Sequence, residues 1–260
     1  MPQLIPGLVS VTFRSLPPEE IINLTVKAGL KTIEWGGDIH VPPGDGARAR
    51  EVGRQTREAG MSVAAYGSYY RVGFSETNGL PFAQVLDTAV TLGAPTIRVW
   101  AGQKGSHDTP PQERSAVIAD ALRIADLSRA HGVTISFEYH DGTLTDTRDS
   151  VQRLLEEMAH PNLEFLWQPK HGETVEQGVA RLRDVCPRLR HVHVFHWWPT
   201  ASDRRPLIEG RERWGYYLEI LQGMGKTVPC LLEFVRDDST EQFLQDAATL
   251  RDWLGKSVQL

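Results

Sequence analysis

The chain has 260 residues, 40% of them hydrophobic, and a formal net charge of −5. No apolar run approaches the roughly 18 residues of a membrane span, and no basic stretch followed by an apolar one opens the chain, so neither a membrane span nor a signal peptide is expected. No Lys/Arg block supplies the basic face that nucleic acid requires. Two cysteines, Cys186 and Cys230, are too few for a disulfide framework, which makes a reduced, cytoplasmic setting the expectation.

The elements alternate along the chain. Leu8–Phe13 reads as a first strand, and Pro17 and Pro18 open a helix whose first turn carries Glu19 and Glu20, where the helix dipole favours acids. A second strand, Thr32–Trp35, is followed by a Gly/Pro-rich loop and a helix over 47–59 that stops at Gly60. The third strand, Ser62–Tyr66, leads through a long loop with Tyr69, Tyr70 and Arg71 to a helix over 81–92, stopped by Gly93. Strands over 96–100, 134–138, 163–167, 189–195 and 228–234 follow, with helices over 113–130, 147–158, 175–185, about 212–221 and 240–254.

Units of about 30 residues that alternate strand and helix imply a parallel sheet. Eight of them predict a single (β/α)8 (TIM) barrel domain over 1–260. A doubly wound open sheet is the competing architecture. It is disfavoured because the turn after the first strand, Phe13-Arg-Ser-Leu-Pro17, has no glycine to cradle a phosphate.

A barrel of this kind builds its active site at the C-terminal ends of its strands. Strand 2 ends in Glu34-Trp35, with Asp38 and His40 beyond, and strand 4 carries Arg98 and Trp100. Strand 5 ends in Glu138-Tyr-His140, strand 6 in Trp167-Gln168 with His171 following, and strand 8 in Glu233 with Arg236 following. Strand 7 carries His191, His193 and His196; the first two share a face, and His196 points the other way unless the strand ends first. Two carboxylates, Glu138 and Glu233, with an imidazole and a carboxamide from the strand ends between them make a mixed O/N donor set suited to one divalent cation.

Three segments, Phe137-Glu-Tyr-His140, His191-Val-His193 and Leu231-Leu-Glu-Phe234, together with the loop Arg205–Gly210, resemble the xylose-isomerase-like TIM-barrel superfamily of sugar and sugar-phosphate isomerases and epimerases. The resemblance implies a metal site of Glu, Asp, His and Glu on strands 5 to 8, carried here by Glu138, Gln168, His193 and Glu233, with Mn, Mg, Co or Zn as the ion. It also matches His171 to a histidine that follows the strand-6 acid in that superfamily. This chain departs from it twice: Gln168 replaces the strand-6 Asp, and His193-Val-Phe-His196 replaces a His-x-Lys-Asp form. A neutral carboxamide leaves two anionic ligands rather than three.

The implied chemistry is isomerisation or epimerisation of a small sugar or sugar phosphate. One of Glu138 and Glu233 takes a proton next to a carbonyl, and the other returns one after an enediolate intermediate. His171, His140, Arg236, Trp35, Trp100 and Arg205 are the candidate substrate contacts, with Trp167 and Trp197 as further aromatic walls. A dehydratase on the same scaffold shares this chemistry, and a metal-poor sugar-binding protein is the reading that Gln168 keeps open. The endonuclease branch of the superfamily fits poorly, since the early strands offer few histidines and acids. Neither nucleic acid nor a membrane is an expected partner; the outer helices leave room for a homo-oligomer.

Overall fold

The structure is a computed structural model and describes residues 3–255; the ends of the expected 1–260 domain lie outside the described residues. Eight strands, β1 to β8, follow one another in chain order around a closed parallel barrel: Leu4–Val9, Thr32–Gly36, Ser62–Val72, Thr96–Ala101, Thr134–Glu138, Leu163–Trp167, Leu189–Val194 and Val228–Leu232. Eight helices, α1 to α8, alternate with them: Pro18–Lys27, Gly46–Glu58, Phe82–Leu92, Pro111–Arg129, Arg148–Glu157, Val175–Val185, Arg211–Gly223 and Thr240–Gly255. The (β/α)8 expectation is met. Among the described residues no helix is long and apolar enough to cross a membrane.

Helix boundaries follow the local chemistry. Pro18 and Pro111 sit in the first turns of α1 and α4, where a missing N–H costs nothing. Thr147 caps α5 by accepting the Ser150 N–H. Thr174 and Gln177 form a reciprocal capping box on α6, a feature worth about 0.5–2 kcal/mol. Gly93 ends α3 with φ at 82°, a left-handed conformation that glycine adopts without strain.

Contacts divide the chain into two compact units, one of residues 3–34, 55–64 and 167–255, the other of 35–54 and 65–166. In the first, β1 pairs with β8 from Leu4↔Val228 to Leu8↔Leu232 and with β2 from Gly7↔Thr32 to Val9↔Glu34, while β7 pairs with β8. A side chain at Gly7 would meet Leu231 and the Thr32 carbonyl at 2.5 Å, so only glycine lets these strands approach. In the second unit β3 pairs with β4, β4 with β5 and β5 with β6, and a bulge lies between Gly67 and Arg71.

Among the boundaries that differ from the sequence reading, those of β1, which also begins four residues early at Leu4, and of β3 differ most. β1 ends at Val9, and Ser10–Phe13 forms a 3-10 turn instead of the strand expected there. Tertiary contacts override the β-branched pattern: Thr12 Oγ1 accepts the Phe234 N–H at 3.0 Å, and the Phe13 ring packs edge-on against Phe243. β3 runs on to Val72, six residues past its expected end, through the bulge.

Candidate active site

Period-two alternation decides which side chains meet. β2 is buried at every position, and its side chains alternate, so Glu34 and Trp35 face opposite ways. Trp35, a candidate wall for substrate, is 0% exposed and packs edge-on against His40. Glu34 meets β7 instead. Its Oε2 lies 3.0 Å from His191 Nε2 and 3.2 Å from His193 Nε2, and all three side chains are buried. His191 and His193 share a face as expected. His196 lies beyond the end of β7, half-buried against Gly210.

Glu233 is the first residue after β8, and its N–H donates to the Val194 carbonyl at 3.1 Å. That anchors it beside His193, with Oε2 3.3 Å from His193 Nδ1 but without hydrogen-bond alignment. Phe234, next in the chain, holds a left-handed φ of 46°, which strains a bulky residue by about 1–2 kcal/mol. Two hydrogen bonds hold it there, from its N–H to Thr12 and from Trp197 Nε1 to its carbonyl.

Burial works against a charge on His193, but the carboxylates of Glu233 and Glu34 overcome it and raise its pKa to about 10. Burial prevails at His191, whose pKa is lowered despite Glu34.

Gln168 follows β6 directly and is half-buried; its backbone carbonyl accepts Arg181 Nη2 at 3.3 Å. Arg181 also pairs with buried Glu173 at 2.6 Å, and Glu173 accepts the Lys170 N–H, so the segment from Gln168 to Glu173 is clamped at both ends. His171 stacks on Trp197 with 5.2 Å between ring centroids and 13° between planes. Phe195 stacks on the same indole at 4.0 Å. Arg204, rather than Arg205, completes this aromatic group: its guanidinium lies 5.5 Å from the Trp197 ring and 4.6 Å from the Phe234 ring, and it pairs with Asp238 at 2.7 Å. Arg205 is exposed, 3.7 Å from Glu209, and exposed Arg236 donates to Gln242 at 2.9 Å.

In the second unit, Arg98 and Trp100 share a face of β4, and both reach the last residue of β5. Arg98 Nη1 lies 2.7 Å and Trp100 Nε1 2.5 Å from Glu138 Oε2. Tyr69, at the β3 bulge with φ of 58°, sets its ring edge-on to Trp100 at 5.1 Å and 4.8 Å from the Arg98 guanidinium. Arg71 covers Trp100 at 4.4 Å, and the exposed His140 ring lies 4.9 Å from the same indole. In the first unit, Trp167 is fully buried among Trp214 and Tyr217.

From sequence, Glu34 and Arg98 are collected at strand ends without a role, and Tyr69 is placed only in a loop. For the first two a signal existed: a charged residue at an inner position of an otherwise apolar strand.

The model of the xylose isomerase-like TIM barrel family matches residues 22–254. This chain belongs to the xylose isomerase-like TIM barrel family. A 3-dehydroshikimate dehydratase of Bacillus anthracis is 37% identical over 98 residues, a stretch covering 37% of this chain and 35% of that relative. The chain thus spans about a third of the curated relative it matches. Among solved structures, the probable 3-DHS dehydratase AsbF from Bacillus anthracis superposes with a TM-score of 0.78 at 22% identity, over 96% of this chain and 98% of that one. A xylose isomerase-like TIM barrel protein from Mycobacterium smegmatis, solved in complex with magnesium, superposes with a TM-score of 0.73 at 16% identity, over 96% of each chain. At those identities the superpositions establish the fold.

Proposed function

We propose that this xylose isomerase-like protein is a metal-dependent enzyme that removes a proton next to a carbonyl, and that its reaction is dehydration of a hydroxylated cyclic keto acid of the 3-dehydroshikimate kind. The observation that carries the metal reading is His193 Nδ1, buried 3.3 Å from Glu233 Oε2 without a hydrogen bond between them. Two ligands each about 2.1 Å from a cation stand roughly 3.0–3.4 Å apart, so the pair fits a shared ion. Glu138 and Gln168 enter the proposal as the other two positions of the ligand set that the family resemblance implies, Gln168 with a neutral carboxamide oxygen. The donors, one imidazole and otherwise oxygens, suit Mg, Mn, Co or Zn.

When bound, the ion supplies positive charge at the carbonyl oxygen, where negative charge develops. The protein's own groups do the rest. One of Glu138 and Glu233 takes the proton from the carbon next to the carbonyl, and the electron pair delocalises onto the carbonyl oxygen. The other glutamate protonates the hydroxyl on the adjoining carbon as its C–O bond breaks, releasing water and leaving a conjugated enone. Arg98 and Trp100 fix the Glu138 carboxylate by donating to one oxygen. Trp100, with Arg71 over it, offers a flat wall to a ring, and the cationic Arg71 suits an acidic substrate. In the other unit the His171–Trp197 stack is a second flat aromatic surface. His140, Arg236 and Arg205 are proposed to contact substrate from the outer loops. Trp35, fully buried against His40, contributes packing.

The second reading is isomerisation or epimerisation of a keto-sugar. It uses the same paired glutamates, with the second proton returned to carbon instead of to a leaving hydroxyl. The dehydratase match over 98 residues favours dehydration. The purified protein, loaded with Mg or Mn, is to be offered 3-dehydroshikimate and, separately, a panel of ketohexoses. Loss of water, read as new ultraviolet absorption from conjugation, is the expected result. Conversion of a ketose with no dehydration would replace the first reading by the second.

A further inference from the structure

Glu34 is a buried carboxylate with two imidazoles on one oxygen. Its Oε2 accepts from His191 Nε2 at 3.0 Å and from His193 Nε2 at 3.2 Å, across 157 and 159 residues of sequence. None of the three is more than 1% exposed. The reaction proposed above uses neither Glu34 nor His191, yet an acid and two histidines fully inside a barrel are costly to bury unless each satisfies another. The geometry points to a positioning role. We infer that Glu34, steadied by His191, aims His193 so that Nε2 keeps its proton and Nδ1, beside Glu233, is the nitrogen that would give up its proton to bind a cation.

An imidazole has two nitrogens, and a metal ligand needs one of them bare. The carboxylate fixes Nε2 as donor and turns the ring so that Nδ1 lies 3.3 Å from Glu233 Oε2. His191 sits two residues earlier on the same face of β7 and takes the same oxygen, so it restrains where Glu34 can point. A metal-ligating histidine commonly loses 10- to 100-fold in metal affinity when the acceptor that orients its other nitrogen is removed. Glu34 is therefore a positioning residue that acts through His193, and His191 is one that acts through Glu34.

This inference rests on the metal reading above, and the experiment separates the two. Metal-free wild type, Glu34→Gln, Glu34→Met and His191→Asn are titrated with Co2+, reading affinity by calorimetry and coordination by the visible absorption of the ion. Circular dichroism and the thermal midpoint of the metal-free proteins register folding separately. Glu34→Met removes the acceptor at similar size, and about a 10- to 100-fold loss of affinity with a changed visible spectrum is expected. Glu34→Gln keeps an oxygen that can accept both N–H groups, so it is expected to retain most of the affinity and the parent spectrum. His191→Asn is expected to weaken binding less than Glu34→Met does. Wild type that binds no Co2+ overturns the metal site itself, and this role with it. Wild type that binds while Glu34→Met binds equally well, with the same spectrum, overturns the positioning role alone.

Discussion

His193 Nδ1 and Glu233 Oε2 stand 3.3 Å apart inside the protein, close enough to share a cation and not aligned to satisfy each other. The account therefore expects Glu233→Gln to keep the fold and lose metal. Plasma mass spectrometry of the reconstituted proteins should find near one equivalent of divalent metal in the parent and a clear loss in the variant.

Arg98 and Glu138 form a buried pair, with side chains 3% and 5% exposed. Removing one partner of such a pair leaves the other charge buried and typically costs about 3–5 kcal/mol. Arg98→Met should lower stability by about that amount in urea unfolding, and turnover should fall further than the fraction of folded protein does, because Glu138 also loses its orientation. Turnover that tracks only the folded fraction would confine Arg98 to a structural role.

Arg204 gives a different kind of test. Its pair with Asp238 is partly exposed, so the ionic contribution is about 0–1 kcal/mol. Its guanidinium also holds Trp197 and Phe234 from one side. A cation–π contact of about 0.5–1 kcal/mol corresponds to about a 2- to 5-fold change. Arg204→Ala should raise KM by about that factor with kcat unchanged and the thermal midpoint almost unmoved.

Stability below neutral pH should depend on Glu76. Its carboxylate accepts the Phe82 N–H at the start of α3 at 2.8 Å, which lowers its pKa; burial opposes this, and Arg123 and Tyr70 support it. Because the folded-state pKa lies below the unfolded 4.5, the stabilisation is complete above that value and is lost as pH falls through the folded pKa. Glu76→Gln should cost about 0.5–1 kcal/mol at neutral pH, given a side chain 40% exposed. In urea midpoints across pH, the gap between parent and variant should close as pH falls below 4.5.

The barrel was legible in the sequence because alternation of short apolar runs with amphipathic stretches is a local pattern, and Gly60 and Gly93 stop helices where their positions say they should. The pairing of His191 and His193 on one face was legible for the same reason, since strand period is local. Their partner was not. Glu34 lies 157 residues away, and only the strand register places it opposite β7. Ser10–Phe13 was misread because its β-branched residues carry the pattern of a strand, while Thr12 and Phe13 are spent on contacts with Phe234 and Phe243 from the far end of the chain. Arg204 and Arg205 look alike in sequence; only the fold of their loop sets one against an aromatic pair and leaves the other exposed.

The central proposal is that a cation held beside His193 and Glu233 supports proton abstraction next to a carbonyl. The most direct measurement is the rate of 3-dehydroshikimate dehydration by chelator-stripped protein as Mn2+ is added back. The account predicts no turnover in the stripped protein and a rise that saturates as one site fills. Full turnover by protein shown to be free of metal would contradict it.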